Sequence, residues 1–170
     1  MKDSEEAQFI LGIHIIRGRK NKTLGLSQAS YINKILVKYS VQNSKKGNLP
    51  FRHGIILSNK QYPKTPQEVE DMKKTPYASA VGSLMYAMLC TIPDMCYAVG
   101  IVSRYQSNPG YDHWIAVKTI LKYLRKTRNY VLVYGTKDLI LTGYTNSDFK
   151  LIRIQENLHQ DHCSPYVEER

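Results

Sequence analysis

The sequence predicts an α+β fold: an N-terminal β-hairpin, a helical bundle, and a C-terminal pair of strands that begins a sheet without completing it. Three observations carry this. Short β-branched runs occur near both ends, as FILGIHIIR and TLGLS at one and NYVLVYG and DLILTGYTN at the other. The middle holds apolar residues at helical spacing, densest in ASAVGSLMYAMLC and in HWIAVKTILKYLRKT. After Phe149 neither periodicity continues.

Taken in order, Phe9–Arg17 and Thr23–Ser27 read as two strands around the basic connection GRKNK. Gly12 and Gly25 weaken them and suggest bulges or a close backbone approach. Ser27 is the expected cap of a helix reaching Val41, in which Tyr31, Ile35 and either Lys38 or Tyr39 fall one turn apart. Ile32 and Leu36 widen that stripe, and Lys34 and Lys38 make its other face basic. Residues 41–65 form a long polar connection, from which LPF and GIIL are the pieces able to pack.

A second helix opens at Thr65, with Pro66 at its first position and acids in its first turn. In the next, Ala78, Ser79, Ala80, Gly82 and Ser83 are small enough for close helix approach, and Leu84, Met85, Met88 and Leu89 supply core. Pro93 and Asp94 interrupt the run and restart it as another helix. NPG at 108–110 stops that one, and Asp112 or its neighbour caps the last. There Trp114, Val117, Leu121 and Leu124 mark the buried stripe.

Charge narrows the function. The chain carries 24 Lys and Arg against 14 Asp and Glu, a formal net charge of +10. Residues 151–170 hold two Arg against four acids, so the surplus lies in the first 150. Such a body suits a polyanionic partner, nucleic acid first and an acidic membrane surface second; a solvated basic surface is the plain alternative. The candidate phosphate contacts are Arg17, Arg19, Lys20 and Lys22 at the hairpin tip, Lys34 and Lys38, and Lys118, Lys122, Arg125, Lys126 and Arg128 along the last helix.

Other chemistry is thinly represented. Three cysteines show neither an even count nor zinc spacing, which fits a reducing compartment, cytoplasmic or nuclear. His159, His162 and Cys163 form HxxHC without a second pair, poor zinc geometry. His14 reads as an ordinary strand histidine, and His113 as a helix-start residue rather than a base. The start MKDSEEAQF is acidic and excludes a secretory signal, so the chain is not expected to be secreted. No run reaches the roughly 20 apolar residues of a membrane helix, so no membrane partner is expected.

The blocks ILGIHIIR, LSQASYINKIL, PYASAVGSLMYAM, the PD of TIPDM and VGIVSRYQSNPGYDHWIAVKTILKYLRKT carry a resemblance. Over roughly residues 1–149 the chain resembles the C-terminal part of the reverse transcriptase of copia-type LTR retrotransposon Pol polyproteins, running into ribonuclease H. The resemblance implies that 1–40 end the palm hairpin and start the thumb, 41–65 are a linker, and 66–128 are helical thumb and connection. Residues 129–149 then correspond to a truncated ribonuclease H start. It also implies nonspecific binding of an RNA–DNA hybrid or duplex, and missing partners in the palm and fingers of the parent polyprotein.

The intact family enzyme requires Mg²⁺, held by a YVDD-type aspartate pair in the polymerase and by a YTDAD-like strand end in the ribonuclease H. This sequence contains no Asp-Asp pair, and the polymerase centre is expected upstream of Met1. In Tyr144-Thr145-Asn146-Ser147-Asp148, Asn146 occupies the position of the metal-binding Asp, and Asp148 is a remnant acid. A neutral amide is a far poorer Mg²⁺ ligand than a carboxylate. The expectation is a chain with no catalytic residue of its own, no metal site and no cofactor.

The tail supports that expectation. Suitable codons for FKLIRIQENLHQDHCSPYVEER, read from the third base of the Phe149 codon, give QTDKDSRKSTSGSLFTLCGGA, which resembles the family's continuation after YTDADF. A one-base deletion makes 150–170 out-of-frame translation, never selected to pack and expected to be disordered; a lineage-specific extension is the alternative. Further departures are Ser4 and Glu5 for the family's usual Leu-Gly, Gly25 where TLWLSQ has Trp, and Ile92 where TRPD has Arg. The alternative to a catalytically inactive Pol fragment is a domesticated or effector-like interaction protein. Short copies of this segment are sometimes labelled secreted effectors, but no RxLR string occurs here.

Overall fold

A tight turn, not a bulge, governs the start of the chain. In the computed structural model, which describes residues 7–52 and 54–135, the first expected strand is split into β1 (Phe9–Ile10) and β2 (Ile13–Gly18). Leu11 and Gly12 connect them at φ 50° and 79°, the left-handed pair that a two-residue hairpin turn requires. Gly12 is therefore a turn glycine. β3 (Thr23–Ser27) pairs antiparallel with β2, from His14 opposite Ser27 to Gly18 opposite Thr23.

Ser27 ends this strand instead of capping the next helix. α1 (Ala29–Lys38) begins after Gln28, although the Ser27 hydroxyl accepts the Ala29 N–H at 3.4 Å. Ile32, Ile35, Leu36 and Tyr39 are buried, as the spacing predicts. α2 (Pro66–Lys73) has the expected start as a reciprocal cap: Glu68 N–H donates to the Thr65 hydroxyl and Thr65 N–H to the Glu68 carboxylate. The main-chain N–H groups of Lys64 and Thr65 hold that carboxyl below its ordinary range.

α3 (Tyr77–Cys90) buries Tyr77, Ala80, Val81, Leu84 and Ala87. Met85 and Met88 pack at the edge of the core, but Leu89 is exposed, and a Cβ on Gly82 would touch nothing. The small residues on the α1 side act as polar partners. Tyr39 shares hydrogen bonds with the hydroxyls of Ser79 and Ser83 at 3.0 and 3.2 Å, and Tyr31 donates to the Ser83 carbonyl. Pro93–Met95 form one 3₁₀ turn before α4 (Cys96–Ser103), and Ile92 is buried in the core.

α5 (Tyr111–Thr127) is preceded by Gly110, not capped by Asp112. The Gly110 N–H donates to His113 Nδ1 at 2.8 Å, so His113 serves the helix start as its position suggests. Burial pushes the imidazole pKa down. A side chain at Gly110 would collide with the Gln61 carbonyl, so the connection before α2 seats on the root of α5. Trp114, Val117, Leu121 and Leu124 are all buried.

The sequence starts a new sheet with NYVLVYG. Instead β4 (Leu132–Tyr134) joins the N-terminal strands, placing Leu24 opposite Tyr134 and Leu26 opposite Leu132 in a four-stranded antiparallel sheet ordered β1-β2-β3-β4. Gly25 is the close approach that permits this. It is buried, and a Cβ there would meet Val131 Cγ1 at 2.9 Å and Ile16 Cβ at 3.3 Å. A Trp at this position would need the space that Val131 fills. The second expected strand, DLILTGYTN, lies outside the described residues.

The hydrophobic core comes from α1, α3, α4, α5 and their connections; no residue of the sheet belongs to it. The chain divides into two units after Tyr134, and the core lies in the first. Among the described residues no helix is long and apolar enough to cross a membrane.

Candidate nucleic-acid interface

The cationic residues fall into separate groups. At the hairpin tip, Arg19 and Lys20 lie in a 3₁₀ turn and Lys22 closes it in a left-handed conformation at φ 49°. Arg17, at the end of β2, donates to the Ala7 carbonyl at 2.7 Å. On α1, Lys34 is exposed, but Lys38 is engaged internally: its ammonium donates to Ser79 at 2.9 Å and stands 5.3 Å from the centre of the Tyr39 ring.

α5 carries the other group. Lys118, Lys122, Arg125 and Lys126 follow one another at intervals of three, four or one, so they share a flank opposite the buried stripe. Lys118 stands 5.5 Å from the centre of the Trp114 ring, which fixes its stem without neutralising its charge. Arg128 follows at the helix end, where a cation is favoured by the helix dipole. The strand register sets the two groups apart. The tip adjoins the Leu24–Tyr134 end of β4, and Arg128 precedes the Leu26–Leu132 end. A three-residue strand spans about 10 Å.

The connection after α1 adds cations that charge counting along the helices missed. Gly47 N–H donates to the carbonyl of Lys122 at 3.0 Å, and Lys126 donates to Asn48 Oδ1 at 3.0 Å. Lys45, Lys46 and Arg52 are thereby carried beside the basic flank of α5. The pair Lys45-Lys46 directly before a glycine was the available signal; the segment's lack of period concealed it. On the same helix Tyr123 hydrogen bonds to the Asp94 carboxylate, and burial together with that carboxylate pushes its hydroxyl pKa up to about 12. Asp94 thus ties α5 to the turn before α4.

Among the described residues no three His, Cys, Asp or Glu side chains meet as a metal site. Asn146 and Asp148 lie outside the described residues.

Fold and charge define a basic α+β module: a self-packed helical bundle with one cationic flank, joined to a sheet that contributes nothing to the core. The chain is 50% identical over 148 residues, 87% of its length, to the retrovirus-related Pol polyprotein from transposon TNT 1-94 of Nicotiana tabacum, of which it covers 11%. It is 31% identical over 150 residues to that from transposon RE2 of Arabidopsis thaliana, covering 88% of this chain and 10% of the polyprotein. It is also 44% identical over 81 residues to secreted RxLR effector protein 161 of Plasmopara viticola, covering 46% of this chain and 56% of that protein. The chain is related to the Pol polyproteins of copia-type transposons. It spans about a tenth of the length of the two polyproteins it matches here. No family model and no solved structure matches it.

Proposed function

We propose that this chain is a Pol-derived fragment of the thumb and connection type, catalytically inactive by itself, that holds paired nucleic-acid strands nonspecifically through the basic flank of α5 and the hairpin tip. One observation carries the reading: the cations of α5 share one flank, and the connection brings Lys45, Lys46 and Arg52 to the same side. Side chains of this kind neutralise phosphates without reading bases, which gives sequence-independent and salt-sensitive binding. The inactivity rests on the sequence, which lacks an Asp-Asp pair and has Asn146 at the expected carboxylate position. The out-of-frame reading of 150–170 agrees with a decayed copy and is tested by the genomic DNA after the Phe149 codon.

The test is fluorescence anisotropy with an RNA–DNA hybrid and a DNA duplex of unrelated sequences, titrated across salt. Both should bind alike, with log affinity falling against log salt at a slope between about −2 and −5. Binding that ignores ionic strength, or primer extension or RNA cleavage by purified protein with Mg²⁺, rejects the reading.

The similarity over 81 residues to a protein named as an effector favours a second reading, an interaction protein derived from the same element. A stable protein partner that survives nuclease treatment, together with absent hybrid binding, would select it.

A further inference from the structure

The flank of α5 does not account for the cleft where the connection crosses that helix. This cleft has a volume of about 370 Å³ and is lined by Lys45, Lys46, Arg52 and Lys122, with Gly47, Asn48, Leu49 and Thr119 completing the wall. No carboxylate lines it, and among the described residues none of the four cations has an ion-pair partner. Four like charges around one concavity repel one another and focus a positive potential into it, which a bound anion relieves.

Its shape is set by backbone contact. Besides the Gly47 hydrogen bond to Lys122, a Cβ at Gly47 would lie 3.0 Å from Tyr123 N and 3.2 Å from the Lys122 carbonyl carbon. A larger residue would push the connection a few tenths of an ångström off the helix. Asn48 Oδ1 accepts from Lys126, which leaves the amide nitrogen of Asn48 as a further donor at the cleft wall. A planar guanidinium, three ammonium groups and an amide donor suit the tetrahedral oxyanion of a phosphate better than a single carboxylate.

We propose that this cleft is a phosphate seat. The group it takes comes either from the backbone of a strand lying along α5 or from a free polyphosphate; only the first source rests on the proposed function. Seated on a strand, it would anchor one phosphate at a defined point of an otherwise diffuse interface.

The experiment uses the full chain, with tripolyphosphate and an RNA–DNA hybrid as probes. Amide NMR and calorimetry follow the wild type, a cleft variant (K45Q/K46Q/R52Q) and a charge-matched variant elsewhere (K60Q/K64Q/R104Q). All six substituted side chains are exposed, and melting curves verify that both variants fold. Expected is saturable one-to-one binding of tripolyphosphate that shifts the Gly47 and Asn48 amides. It should weaken about tenfold or more in the cleft variant and less than about twofold in the other. The hybrid's salt slope should fall by about 1 to 3 in the cleft variant, one for each lost contact. Absence of saturable tripolyphosphate binding, or equal losses in both variants, overturns the seat, whatever the hybrid does. Tripolyphosphate binding at the cleft with no hybrid binding upholds the seat with free polyphosphate as ligand and removes the proposed function instead.

Discussion

The bundle and the sheet are built from the same aliphatic residue types and treat them in opposite ways. Val81, Leu84, Ile120 and Leu121 are fully buried, whereas Ile10, Ile16 and Val133 are 50%, 45% and 61% exposed. Four helices bury their stripes against one another and close a core. The sheet has only a two-residue strand at one edge and a three-residue strand at the other, and none of its large apolar side chains is fully buried. The difference teaches where stability resides. The helices close a core of their own, while the sheet has the composition of one layer of a two-layer packing.

The largest expected effect breaks this comparison most directly. Leu121→Ala should cost about 2–5 kcal/mol, because it opens a cavity among buried neighbours. Val133→Ala on the sheet should cost less than about 1 kcal/mol, because most of its surface already faces water. Urea melts of the two variants measure both. Comparable losses would mean that the sheet is covered after all.

A smaller change should strengthen the sheet. Leu11 holds a left-handed conformation that costs a Leu about 1 kcal/mol and suits Asn, and its side chain is exposed. Leu11→Asn should raise stability by about 1 kcal/mol or less, read as slower amide exchange across β1 and β2 with α3 and α5 unchanged. Faster exchange there would show that the Leu11 side chain is needed for cover.

The smallest effect concerns the bundle's dependence on pH. Burial lowers the His113 pKa, so the unfolded chain takes up the proton first. This contribution is complete above the ordinary histidine value of about 6.5 and is lost as pH falls through and below it. His113→Gln places a neutral acceptor at the third helical position, where Gln can still take the Gly110 N–H. The slope of melting temperature against pH below 6.5 should flatten in this variant. An unchanged slope would assign the acid sensitivity to another group.

Much of this fold was legible because it is local. Thr65, Pro66 and Glu68 announce a helix start through contacts three residues apart, and the Trp114–Leu124 stripe follows from the helical period alone. What was missed depended on distant neighbours. The period could have excluded Leu89, which stands five positions and about 140° round α3 from Leu84 and is 77% exposed; it could not have shown that Leu132–Tyr134 pair with Leu24–Leu26, more than 100 positions away. The candidate site shows the same division. The α5 cations were visible as a periodic row, but Lys38 is bound up with Ser79, 41 positions away, and Lys45, Lys46 and Arg52 matter only because Gly47 rests on α5.

By itself the sequence determined the net charge, the helix starts and the amphipathic stripes, because each depends on residues within one or two turns of one another. Only the tertiary structure decided that β4 returns to the first sheet over Gly25, and that an aperiodic connection and a helix flank enclose one cationic cleft. Both depend on segments brought together across 75 positions or more. A period measured along the chain carries no information about which backbones will touch.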